Sequence, residues 1–196
     1  WFEKRLKGGI VLRGAGTIIL HLLSEDVFML QCQFLPIFHV CQVGSWWSSG
    51  AGRAASQGHS GIWIAWALSK TGGKLITVDI DEGRHREAVA NFREAGLDAW
   101  IDARLADAHE LVPALPGPFD FVFCDADKDW YKNYFVAVQP KLTVGGCFAA
   151  HNVSARMRRG GWGSGDFVEH VLSLPFMDTT FREDSWSGMS VSYKRS

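Results

Sequence analysis

Residues 119–128 read Phe-Asp-Phe-Val-Phe-Cys-Asp-Ala-Asp-Lys, and they restrict the fold more than any other stretch of the chain. Phe121 to Cys124 is a short apolar run, the mark of a strand covered on both faces. Two carboxylates and a lysine follow within four residues. In an open α/β sheet, ligands sit just beyond the carboxyl ends of the strands. A strand that stops at Asp125-Ala126-Asp127-Lys128 puts charge where a ligand would lie. A turn capped by Asp125 or Asp127 explains the same residues equally well when they are taken alone.

The surrounding sequence alternates helix and strand patterns. Ile62, Ala65, Trp66 and Leu68 predict a helix over about 59–70, ended by Gly72-Gly73. Lys74 to Ile80 reads as a strand. Asp81 then N-caps a helix over about 82–95, with Ala88, Val89, Phe92 and Ala95 inward. Ala99 to Leu105 is the next strand and Asp107 to Leu115 a short helix. After the Phe119 strand, Tyr131, Tyr134, Phe135 and Val138 predict a helix over about 128–140. Gly145-Gly146 turns into a strand at Cys147 to Ala150, and Phe167 to Leu174 is a further helix. Two strands, about 177–183 and 188–194, form a closing hairpin. The sum is a mostly parallel, doubly wound α/β sheet with an antiparallel strand at its end.

Residues 1–57 resist this reading. Glycines at 8, 9, 14 and 16 break any period, and the apolar residues of 17–43 suit helix or strand. Val40 to Ser45 is the best candidate for the first strand of the sheet, followed by an insertion of about a dozen residues. We expect one domain, with an atypical segment over 1–57 and the regular α/β part over 58–196.

The 196 residues suffice for a sizeable core. A net charge of −1 offers no basic field for nucleic acid or an anionic membrane. No clean apolar span of membrane length is present. The four cysteines form no C-x-x-C pair, which argues against zinc of that type and fits a reducing, cytoplasmic setting.

Several residues carry chemistry at the predicted strand ends. Ser56 to Gly61 (S-Q-G-H-S-G) opens the first regular helix, where backbone N–H groups bind polar ligands. Asp79 ends the next strand, and a carboxylate there accepts both hydroxyls of a ribose. Asp107 and Ala108 stand where an adenine ring would be flanked, although Asp107 also suits a helix cap. Asp125, His151 and Asn152 are all plausible ligands of a divalent ion. Lys128 serves as a base if its pKa is lowered. With the first, fourth and fifth strands side by side, these loops converge. A competing fingerprint, Gly50 to Ala55 (G-A-G-R-A-A), matches the dinucleotide pattern of an NAD(P)-binding oxidoreductase, but it has no strand before it and no uninterrupted helix after it.

From about Ser56 to Lys194 the chain resembles the class I S-adenosylmethionine-dependent O-methyltransferases of the catechol and caffeoyl-CoA type. The resemblance is carried by Ser56 to Trp63, Leu75 to Asp81, Phe119 to Tyr131, Gly145 to Val153 and Gly188 to Lys194. It implies a Rossmann-like, seven-stranded sheet and methyl transfer to a hydroxyl of a small, aromatic acceptor. It implies that Ser56, Gly58, His59 and Ser60 contact the cofactor, with Asp79 and Ile80 at the ribose and Asp107 and Ala108 at the adenine. Asp125 would stand at the cofactor's edge and ligate a metal with His151 and Asn152, and Lys128 would be the general base. N-terminal helices that dimerise such enzymes are not recognisable here, so a homodimer rests on the resemblance alone.

Two departures stand out. The family has Asp where this chain has His151, and imidazole suits Zn²⁺ or Mn²⁺ better than Mg²⁺. The first strand also lacks its usual acidic ending before the glycine turn. An inactive methyltransferase-like fragment is therefore the second alternative.

Overall fold

The computed structural model describes residues 17–22, 28–33, 39–43, 58–159, 163–182 and 188–196. The chain divides into two compact units, Trp1–Pro36 and Ile37–Ser196. In the first, β1 (Thr17–Leu22) and β2 (Phe28–Gln33) pair antiparallel, with Thr17 opposite Gln33 and Leu22 opposite Phe28. The sequence reading of one domain with a break near 57/58 therefore differs from the observed division. The reason is β3 (His39–Val43), which hydrogen-bonds into the main sheet and carries the boundary back to residue 36.

The second unit alternates strand and helix. In order come β3, α1 (His59–Thr71), β4 (Lys74–Asp79), α2 (Glu82–Glu94), β5 (Ile101–Leu105), α3 (Ala108–Ala114), β6 (Phe119–Cys124), α4 (Tyr131–Val138), β7 (Leu142–His151), α5 (Gly165–Ser173), β8 (Met177–Arg182) and β9 (Met189–Lys194). The sheet runs β5-β4-β3-β6-β7-β9-β8. β3, β4, β5, β6 and β7 are parallel. β9 runs antiparallel to both β7 and β8. This is the mostly parallel α/β sheet with a terminal antiparallel hairpin that the sequence predicts. Strand order reverses at β3, between β4 and β6, and such a reversal opens a crevice at the carboxyl ends.

Local chemistry accounts for the elements. Gly58 caps α1 at φ +85°, a left-handed conformation that strains any residue with a Cβ. The Asp81 carboxylate accepts from the Arg84 N–H at 2.8 Å and starts α2 as expected. Phe121, Val122, Phe123 and Cys124 are all buried, so β6 is covered on both faces. Tyr131, Tyr134, Phe135 and Val138 form the buried stripe of α4. Phe135 meets Phe148 edge to face at 5.1 Å and Phe167 at 5.8 Å, which binds β7, α4 and α5 into one core. Burial of each such ring is worth about 1.5–3 kcal/mol.

Two local expectations differ. The predicted helix over 128–140 is a 3₁₀ turn (Lys128–Trp130), then α4, then a second 3₁₀ turn (Gln139–Lys141). β7 begins at Leu142, before the predicted Gly145-Gly146 turn. Its ladder slips there, since Leu142 faces Phe119 but Cys147 faces Phe121. The glycines accommodate the slip: Gly145 has φ +82°, and a Cβ on Gly146 would lie 2.8 Å from the Thr143 carbonyl oxygen.

Candidate functional site

The carboxyl ends of β4, β5 and β6 enclose a cavity of about 270 Å³. Among the described residues its lining includes Asp79, Ile80, Arg84, Asp107, Ala108, His109, Ala126, Asp127 and Tyr134. Four of the sequence-predicted cofactor residues, Asp79, Ile80, Asp107 and Ala108, thus share one wall. Gly58, His59 and Ser60 stand at the start of α1 and are not part of that lining. The His59 ring accepts from the Trp63 indole N–H at 3.3 Å. Ser56 and the Gly50 to Ala55 fingerprint lie outside the described residues.

Asp79 ends β4 and is fully engaged. Arg84 Nε donates to its Oδ2 at 3.1 Å, and Arg84 Nη2 to its Oδ1 at 2.8 Å. The Asp81 N–H adds a third bond to Oδ1 at 2.8 Å. Asp107 N-caps α3, accepting from the His109 N–H at 2.9 Å. The cap and the site reading therefore fall on the same residue.

His109 escaped the sequence reading, and Tyr134 was read there only as part of the apolar stripe of its helix. His109 Nε2 lies 3.2 Å from Asp127 Oδ2, and its Nδ1 lies 3.3 Å from Asp107 Oδ1. The Tyr134 hydroxyl donates to Asp127 Oδ1 at 2.9 Å. Asp127 precedes the 3₁₀ turn, but its side chain makes no capping bond there. Both of its oxygens are instead held by residues of α3 and α4, so it is no plain cap. Burial, followed by the hydrogen bond to Asp127 and that carboxylate's charge, raises the Tyr134 phenol far above its usual range. The available signal was position: His109 is two residues past Asp107, and Tyr134 lies on the α4 stripe.

Beyond Asp127 lies the second cluster. Lys128 Nζ donates to the His151 carbonyl at 3.1 Å and to the Tyr131 hydroxyl, and it lies 3.3 Å from Asp125 Oδ1. The ammonium also stands 4.6 Å from the centre of the Tyr131 ring. The Tyr131 hydroxyl donates to the same His151 carbonyl at 3.0 Å. His151 Nδ1 approaches Asp125 Oδ1 to 3.1 Å. Asn152 follows at φ +55°, its N–H bonded to the Gly188 carbonyl at 3.0 Å.

The electrostatics divide the roles. Burial opposes ionisation of Asp125, but His151 and then Lys128 outweigh it and hold the carboxyl below its usual range. Burial is also the largest influence on Lys128 and lowers its pKa, although Asp125 works against it. A lysine so placed sheds its proton more readily than one in water.

Of the expected metal ligands, Asp125 and His151 come together. The donor set suits a hard dication poorly. The shared Asp125 oxygen already faces an ammonium, and the second donor is an imidazole rather than a carboxylate. Among the described residues no group of three His, Cys, Asp or Glu side chains is arranged to hold a metal. No helix there is long and apolar enough to cross a membrane.

Comparison with known proteins supplies a family. Residues 55–153 match the family described as "Methyltransferase domain". Catechol O-methyltransferase of Niastella koreensis is 42% identical over 82 residues, covering 40% of this chain and 37% of that protein. Caffeoyl-CoA O-methyltransferase of Stellaria longipes is 35% identical over 96 residues, covering 45% and 40%. The chain thus spans well under half the length of these curated relatives. Among solved structures, the O-methyltransferase TomG of Streptomyces achromogenes, in complex with SAM, gives a TM-score of 0.68 at 20% identity over 82% of this chain and 74% of that one. The O-methyltransferase of Bacillus cereus, in complex with SAH, gives 0.67 at 20%, over 82% and 75%. At that identity the two structures speak for the fold.

Proposed function

We propose that this chain, which belongs to the methyltransferase-domain family, is an S-adenosylmethionine-dependent O-methyltransferase acting on a hydroxyl of a small aromatic acceptor. The observation that carries the reading is Lys128, a partly buried amine of lowered pKa that follows the cavity residue Asp127, with Asp79, Asp107 and Ala108 in the same cavity lining. The names of the relatives, catechol and caffeoyl-CoA O-methyltransferase, point to the acceptor class. On this reading the sheet is the seven-stranded one expected from the sequence, with β6 at its centre.

The cavity chemistry fits an adenosine. Asp79 offers a carboxylate to a ribose, and Ile80 is 55% exposed, leaving apolar surface free to cover a base. The Ala108 N–H, in the first turn of α3, faces the ring's side of the cavity on this reading. S-adenosylmethionine, when bound, supplies a methyl group on a positively charged sulfur. Lys128 takes the acceptor's proton as the oxygen attacks. The ammonium so formed is stabilised by Asp125 Oδ1 at 3.3 Å and by the His151 carbonyl at 3.1 Å. The Tyr131 hydroxyl, bonded to that carbonyl, fixes the amine's direction. His151 and Lys128 together keep Asp125 ionised. No step here is routed through a metal, because the donor set suits a hard dication poorly.

The test is a methyl-transfer screen over catechols and phenylpropanoids, with Mg²⁺, Mn²⁺ or Zn²⁺ and with a chelator. Transfer to a catechol or phenylpropanoid that persists with chelator supports the reading. Transfer restored only by added Zn²⁺ or Mn²⁺ assigns Asp125, His151 and Asn152 to a metal after all. No transfer to any hydroxyl acceptor refutes the activity.

A further inference from the structure

The guanidinium of Arg84 occupies the face of Asp79 that a ribose would need. A cis-diol binds a carboxylate in a two-pronged pattern, one hydroxyl to each oxygen, and a guanidinium fork binds it in the same pattern. Arg84 Nε and Nη2 already make that pattern, at 3.1 and 2.8 Å. The Asp81 N–H takes a further lone pair of Oδ1. Asp79 is only 17% exposed and Arg84 32%, so the pair is set into the cavity wall and is not a solvated surface contact.

Resting on the assignment of Asp79 to the ribose, we propose that Arg84 is a resident competitor for Asp79, displaced when the cofactor's ribose diol takes its place. Its side chain thereby lowers and sets the protein's affinity for adenosine-bearing ligands. The hydrogen bond to Asp79 and that carboxylate's charge raise the pKa of Arg84, so the guanidinium stays charged. The displaced group also has a place to go. Asp81 Oδ2 lies 4.0 Å from Arg84 Nη1, and its carboxylate is half exposed. The Arg84 main chain stays fixed meanwhile, since its N–H is bonded to Asp81 Oδ1. The exchange is therefore a side-chain rotation at the first turn of α2.

The test is calorimetric titration of S-adenosylhomocysteine into wild-type protein, Arg84→Met and Arg84→Lys. Arg84→Met keeps the aliphatic stem and should bind roughly two- to fivefold more tightly, the scale of a single partly exposed ion pair. Arg84→Lys keeps the charge without the fork and should fall between. Arg84→Gln replaces Arg84→Met if the latter melts well below wild type. A ligand without the ribose hydroxyls, 2′,3′-dideoxyadenosine, should bind wild type and Arg84→Met alike. Equal or weaker binding of S-adenosylhomocysteine by Arg84→Met overturns the proposal, as does equal tightening of the dideoxy ligand. Asp79→Ala separates the two layers. If it weakens binding while Arg84→Met does not tighten it, only the competition fails. If wild type binds no S-adenosylhomocysteine, the site assignment fails and the competition with it.

Discussion

The imidazole of His109 stacks on the indole of Trp130, with ring centroids 4.0 Å apart and planes 29° apart. His109 belongs to α3 and Trp130 to the turn that carries Lys128. With the 3.2 Å approach of His109 Nε2 to Asp127, the stack ties the loop after β5 to the loop after β6. One side chain of the cavity lining therefore reaches the turn that carries Lys128.

Replacing His109 should disturb Lys128 more than it disturbs the ligand's ribose. His109→Ala should lower kcat by roughly ten- to a hundredfold, the scale of a small misplacement of a reacting group. The KM for S-adenosylmethionine should rise less. Tyr134→Phe, which removes the other bond to Asp127, should act in the same direction. Steady-state kinetics of both variants checks this, and unchanged kcat in both would exclude a positioning role.

Lys128 should impose a pH dependence on transfer. Its amine works as a base only when neutral, so kcat rises with pH and levels off above the folded-state pKa. Because burial lowers that pKa, the plateau should begin below the usual lysine value of about 10.4. Lys128→Arg should be inactive across the range, since guanidinium does not give up its proton. A pH–rate profile still rising one decade per pH unit above the usual lysine value would contradict the lowered pKa.

Gly58 is committed to its conformation. A Cβ there would lie 2.6 and 2.9 Å from two ring carbons of Phe92, which is 2% exposed, and the φ is +85°. Gly58→Ala should cost about 2–4 kcal/mol, the left-handed penalty plus overpacking of a core ring. Chemical denaturation reads this directly. A loss below about 0.5 kcal/mol, the range of an ordinary surface change, would show that the turn relaxes freely.

Asp125 should make stability pH-dependent at the acid end. Its folded-state pKa lies below the unfolded value of about 4, so its ionised form stabilises the fold above that value. The contribution is lost as pH falls through the lower, folded-state pKa. Asp125→Asn should therefore melt below wild type near neutral pH, with the difference shrinking on acidification. Melting curves from neutral pH down to about pH 3 test the sign, and a difference that grows with acid would reverse it.

Much of this site was readable from strand ends. Phe121 to Cys124 had to be a strand covered on both faces, and the residues after it had to face the crevice. The adjacency of β3, β6 and β7 brought Lys128 and His151 together as the alternation of elements implied. What the sequence hid were contacts between loops. Nothing local links His109 with Trp130, because helix α3, strand β6 and the turn before Lys128 intervene. Asp127 looked like a cap because Asp before a helical turn usually is one. Arg84 went unread, because nothing in the sequence of α2 shows its guanidinium turned back with both fork nitrogens on Asp79. Residues 17–22 and 28–33 form two strands where an apolar run allowed helix equally.

Transfer of a labelled methyl group from S-adenosylmethionine to catechol tests the central claim most directly, measured with wild type and Lys128→Ala alongside S-adenosylhomocysteine titrations of both. The account predicts that wild type methylates the acceptor, and that Lys128→Ala loses transfer by about a hundredfold or more while its affinity for S-adenosylhomocysteine is kept. Undiminished transfer by Lys128→Ala would contradict it, as would a wild type that binds S-adenosylhomocysteine yet methylates no hydroxyl.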